Sequence, residues 1–135
     1  MALIPAELPS EPLRRCCAVI DIERVDFVTV PTRDIERARR FYGEVLGLAS
    51  SSETPDEFET SNVTLGLWEP ARDGESFGPN TAGIALRVAD VASARARLER
   101  SGVQFRGETV DTGVCHMPFF DDPDGNVLIL HPRYA

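Results

Sequence analysis

At 135 residues, 42% hydrophobic and 27% charged, the chain is large enough for one compact domain with its own core. No stretch approaches the ~20 consecutive apolar residues of a membrane helix. The opening MALIPAELPSEPLRR sets prolines and acids where a signal peptide carries basic and apolar segments, so a cytoplasmic protein without membrane contact is expected. The net charge of −8, from 22 acidic against 14 basic residues, opposes nucleic-acid phosphates and leaves room for a cationic ligand. Cys16, Cys17 and Cys115 form an odd set without metal-finger spacing and are expected as reduced thiols.

Residues 1–22 hold three prolines and no sustained period, which predicts an arm outside the main fold, a domain over 23–135 following it. From Val25 to Val30 a β-rich run ends at Pro31 and reads as a strand buried on both faces. Asp34 is placed to cap a helix whose inner face is Ile35, Ala38, Tyr42 and Val45 and whose end is Gly47. A polar Glu/Ser-rich connection leads to a second strand at 63–68, ending before Pro70. Residues 71–81, rich in Gly, Pro and Asn, read as a linker between two halves, about 23–70 and about 82–131.

The second half repeats the order of the first. Ile84 to Asp90 matches Val28 to Asp34 position for position, each a strand ending in an Asp that caps a helix. Val91, Ala94 and Leu98 mark the inner face of the second helix, which ends at Ser101-Gly102, and strands are expected around 103–108, 114–120 and 126–131. Asp122-Pro123-Asp124-Gly125-Asn126 is the turn between the last two, because proline presets one turn dihedral and glycine accepts positive φ. The reading is an α+β fold of duplicated βαβββ repeats: one curved mixed sheet with helices on its convex side and a cleft on its concave side.

The runs VDFVTVPTRDIERARRFYGEVLGL, AGIALRVADVASARARLERSGV and FFDDPDGNVLIL resemble, in that order and spacing, the vicinal-oxygen-chelate superfamily of glyoxalase I, extradiol dioxygenases and bleomycin-resistance proteins. The resemblance spans roughly residues 23–131 and is far more specific for fold than for activity. Metal-dependent members place one His or Glu on each of four strands. Those positions fall here on Phe27, Gly66, Gly83 and Ile129, none of which offers a donor, so no metal and no cofactor are expected. A relocated site on His116, His131 or Cys115 is weakened by strand alternation, which turns His116 outward.

Alternation through both repeats predicts a concave lining of Phe27, Thr29, Thr64, Trp68, Ala85, Arg87, Cys115, Met117, Phe119, Val127, Ile129 and His131, with Gly66 and Gly83 as floor. Such a lining suits a small aromatic or hydrophobic molecule stacked on Trp68, Phe27 or Phe119 and oriented by Arg87, His131 or Thr29. The same aromatics could instead fill the cleft themselves. Cys115 lacks a neighbouring base and reads better as a small buried hydrophobe than as a nucleophile. Two functions remain: sequestration of a drug or metabolite without chemistry, as in bleomycin resistance, or a metal-independent lyase, isomerase or cyclase in which Arg87 polarises an oxygen and His131 moves a proton. The resemblance also implies a homodimer, with the N-terminal arm as a candidate contact.

Overall fold

In the computed structural model, which describes residues 19–107, 110–111 and 116–132, the first repeat opens with β1 (Phe27–Pro31). Val30 of this strand is buried and Val28 half-buried, whereas Phe27 and Thr29 are exposed. The expectation of burial on both faces is therefore corrected: β1 covers the core with one face, and among the described residues Phe27 and Thr29 of the other face stay exposed.

Helix α1 (Ile35–Arg40) begins where Asp34, in extended conformation, accepts a hydrogen bond from the Arg37 backbone N–H at 3.1 Å. The Ile35 N–H, also orphaned at the helix start, is taken up by Glu69 Oε1 at 2.9 Å. The helix then widens into one π turn (Phe41–Val45), in which Leu46 N–H reaches back to the Phe41 carbonyl, and Gly47 at φ 73° ends it. Ile35, Ala38 and Tyr42 are buried and Val45 half-buried, as the period predicts; Phe41 joins them.

The polar connection is not simply a loop. It contains β2 (Glu57–Glu59), which pairs antiparallel with β3 (Thr64–Trp68), and β3 in turn pairs parallel with β1, giving the order β1-β3-β2. One residue makes β2 worth forming: Phe58, 2% exposed, enters the core while its two glutamates face out. A short 3-10 turn (Pro70–Asp73) then opens the segment read as linker.

The second repeat has β4 (Ile84–Val88) and α2 (Val91–Arg100), capped by Asp90, which accepts from Ser93 N–H at 3.0 Å. Four strands follow: β5 (Val110–Asp111), β6 (His116–Met117), β7 (Phe119–Asp121) and β8 (Val127–Pro132). Their order is β4-β8-β7, with β4 parallel and β7 antiparallel to β8, and β5-β6 forms a separate small hairpin. The strand expected at 103–108 reduces, within residues 103–107, to a single bridge between Phe105 and Phe120. The strand expected at 114–120 is divided at Pro118, which has no N–H for the ladder although its carbonyl accepts from Leu130 N–H at 3.0 Å.

Each repeat thus places its first strand parallel to its last, with the preceding strand antiparallel on the far side. The expected single curved sheet is, among the described residues, two three-stranded ladders whose outer edges include β1 and β4. One core joins them: Val30, Ile35, Ala38, Phe41, Tyr42, Phe58, Leu65 and Leu67 of the first repeat pack with Leu98, Phe120, Leu128 and Leu130 of the second. Fully burying each large apolar side chain contributes about 1.5–3 kcal/mol.

A buried polar clamp fastens the turn at 122–126 to the first repeat. Asp122 Oδ1 accepts from the N–H groups of Asp124 and Asn126, and its Oδ2 accepts from Tyr42 Oη and Asn126 Nδ2, both at 2.7 Å. Asp124 takes the Thr32 hydroxyl, the Arg33 N–H and the Arg37 guanidinium; Asn126 donates to the Pro31 carbonyl and accepts from Asn80 N–H. Buried carboxylates stabilise a fold only when satisfied in this way.

Candidate ligand-binding face

Residues opposite each other in a ladder point to the same side of a sheet. In the first repeat Phe27 stands opposite Thr64, Thr29 opposite Gly66, and Pro31 opposite Trp68. The predicted residues of this half therefore share one face. Phe27 is 63% and Trp68 37% exposed, which is unusual for large aromatics at the centre of a domain. The Trp68 ring is not loose: its Nε1–H donates to Asp73 Oδ2 at 2.7 Å, so the 3-10 turn fixes the indole plane.

In the second repeat Arg87 stands opposite His131, Ala85 opposite Ile129, and Ile129 opposite Phe119. Arg87 is exposed, while His131, Ile129 and Phe119 are half-buried. Met117 and Val127 are buried at 6% and 3%, so these two belong to packing and give a ligand almost no surface. Cys115 lies outside the described residues, as does the side chain of His116. The structure brings together each half of the predicted lining but pairs no strand of one face with the other. Two shallow grooves elsewhere, around Glu99 to Phe105 and between Phe41, Val45, Gly102 and Pro123, contain none of the predicted residues.

Sequence reasoning missed the edge of the first face. Glu57 stands opposite Gly66 and Glu59 opposite Thr64, so both carboxylates join the face of Phe27 and Trp68. The Thr64 hydroxyl lies 2.9 Å from each oxygen of Glu59, in keeping with this placement. The only signal was the single alternation Glu-Phe-Glu inside a stretch otherwise typical of loops.

The four ligand positions of metal-dependent relatives do not fit a divalent cation here. The Phe27 ring stands beside Gly66, with Cδ2 3.8 Å from where a Cβ would be, and Ile129 Cδ1 crowds Gly83 at 3.0 Å. Gly83 also has φ 96°, a conformation that resists any L side chain, so its backbone is not that of an ordinary ligand-bearing strand residue. Among the described residues no group of three or more His, Cys, Asp or Glu side chains is placed to hold a metal ion.

The sequence pattern of the Glyoxalase/Bleomycin resistance protein/Dioxygenase superfamily matches residues 24–130. The chain belongs to this superfamily. A superfamily member from Sphaerobacter thermophilus DSM 20745 is 25% identical with a TM-score of 0.69, covering 83% of this chain and 98% of its own. TnmS3, an antibiotic binding protein from Streptomyces sp. CB03234, is 27% identical with a TM-score of 0.66, covering 84% of this chain and 98% of its own. Lactoylglutathione lyase from Agrobacterium tumefaciens, at 16% identity and a TM-score of 0.70 over 83% of this chain and 95% of its own, shares the fold. No curated protein matches the sequence. One fold thus occurs in both a lyase and an antibiotic binding protein, so the fold by itself assigns no activity. No helix among the described residues is long and apolar enough to cross a membrane.

Proposed function

We propose that this superfamily member binds a small aromatic or hydrophobic molecule against its sheet faces without a metal, sequestering it rather than transforming it. The observation that carries this reading is the replacement of donor positions by an exposed aromatic surface: Phe27 and Trp68 stand on one face, open to solvent, with Gly66 on the strand of Trp68 adding no side chain beside the Phe27 ring. Planar apolar ligands gain from such rings through area burial and stacking. The likeness to TnmS3, an antibiotic binding protein, supports the same class. A second copy completes the cleft over Phe27, Trp68 and Arg87, which are exposed among the described residues.

Trp68 is the sole tryptophan, so its emission reports directly on occupancy. Titration with aromatic antibiotics and metabolites, on protein whose metal content has been measured, is expected to change that emission at micromolar concentrations with less than one equivalent of zinc, nickel, manganese or iron. Stoichiometric tightly held metal between the repeats would overturn the reading. A second reading, a metal-independent lyase, isomerase or cyclase, is favoured by one observation: Arg87 and His131 are direct cross-strand neighbours on the second face, where a cation and an imidazole could polarise an oxygen and carry a proton. Turnover of a bound molecule, abolished in His131→Gln with binding retained, would select it.

A further inference from the structure

The first face contains more than an aromatic surface. Along β3 the outward residues are Thr64, Gly66 and Trp68, and the middle one has no side chain. On one side of that gap stands Phe27, whose Cδ2 is 3.8 Å from the missing Cβ; on the other side stands Glu57, the register partner of Gly66. Gly66 is not one of the positive-φ glycines, so the backbone does not require glycine there. Its smallness opens a notch between an aromatic ring and a carboxylate, with the fixed Trp68 indole one residue pair along the strand. Glu59 is engaged by Thr64, whereas the Glu57 carboxylate is exposed and has no partner among the described residues.

We infer that the notch at Gly66 seats the positively charged group of an aromatic organic cation, with Glu57 as the residue that selects its charge. A cation beside an aromatic face is attracted by the ring quadrupole, and a carboxylate on the neighbouring strand, opposite the glycine, adds ion pairing. The arrangement opposes a ligand anion at the same place, since Glu57 and Glu59 both border it. This inference rests on the reading of the face as a ligand site and adds the ligand's charge and orientation to it: the planar part on Trp68, the cationic group toward Gly66.

Three planar probes of similar size separate the possibilities: the cation 1-methylquinolinium, the neutral 2-naphthalenemethanol and the anion 2-naphthalenesulfonate, each titrated calorimetrically and by Trp68 emission. The wild-type chain is expected to bind the cation at least about tenfold tighter than the neutral probe, a preference that shrinks with added salt. Glu57→Gln should bring the two within about twofold while leaving the neutral probe's affinity unchanged. Gly66→Val, with its Cβ 3.8 Å from Phe27 Cδ2, fills the notch and should weaken the cation at least about tenfold without loss of folding. Equal binding of all three probes, or a cation preference that survives Glu57→Gln, overturns the charge assignment alone. Binding of none overturns this inference together with the ligand site beneath it.

Discussion

The Tyr42 hydroxyl, fully buried, donates to Asp122 across 80 positions of sequence and ties the first helix to the last turn. Burial first, and then the charges of Asp122 and Asp124, push its phenol well above the ordinary value of 10.0. The folded chain therefore keeps the proton after the unfolded chain has begun to lose it, so the stabilisation is intact below pH 10.0 and declines as pH rises beyond it. All 14 basic residues are arginines, which stay charged in that window, leaving tyrosine ionisation prominent in the alkaline response. Tyr42→Phe is expected to lose about 1–3 kcal/mol at neutral pH, since Asp122 loses one donor, and to show a flatter decline above pH 10 in urea unfolding. Parallel pH profiles for the two proteins would refute the assignment. The helical period marked Tyr42 as an inner residue, but its partner was invisible: the composition of residues 122–126 announces a turn and says nothing about what that turn grips.

Elements were legible where several residues agreed and illegible where one residue decided. Both helix starts follow from an Asp before an apolar period, and both caps are made as expected. The turn at 122–126 likewise joins the last two strands. Strand β2 escaped because its formation turns on Phe58 alone, and the strand expected at 103–108 had apolar content but within 103–107 paired only through Phe105. The two floor glycines look equivalent in sequence and differ once the strands are built. Gly83 sits at φ 96° with Ile129 3.0 Å from its missing Cβ, whereas Gly66 has ordinary backbone and a 3.8 Å neighbour. Gly83→Ala should cost at least about 1–2 kcal/mol and Gly66→Ala close to nothing, compared by urea midpoint with unchanged slope. Equal costs would mean that the two glycines share one backbone conformation. The same difference bears on metal binding: a histidine could be restored at Phe27 more easily than at Gly83, where the backbone itself must first change.

At the scale of the whole molecule, the exposed large hydrophobics among the described residues, Trp68 apart, follow one path. Val19, Ile20, Ile22, Val25 and Phe27 are 99%, 67%, 69%, 59% and 63% exposed, running from the start of the described chain into β1, which is itself an edge strand. A lone domain with an unpaired edge and several exposed apolar side chains beside it is prone to associate. A second copy would cover these side chains and close the two sheet faces into clefts shared between chains, while the core stays within each chain because its cluster already spans both repeats. Sedimentation should then give twice the chain mass. Val25→Asp combined with Ile22→Asp should shift the population toward monomer with little change in unfolding of the core, since both side chains lie outside it. Ligand affinity should fall in step with the dimer fraction, because each cleft then lacks one wall. A chain that sediments as a monomer and binds its ligand with undiminished affinity would place the whole site on a single sheet face and remove the need for a partner.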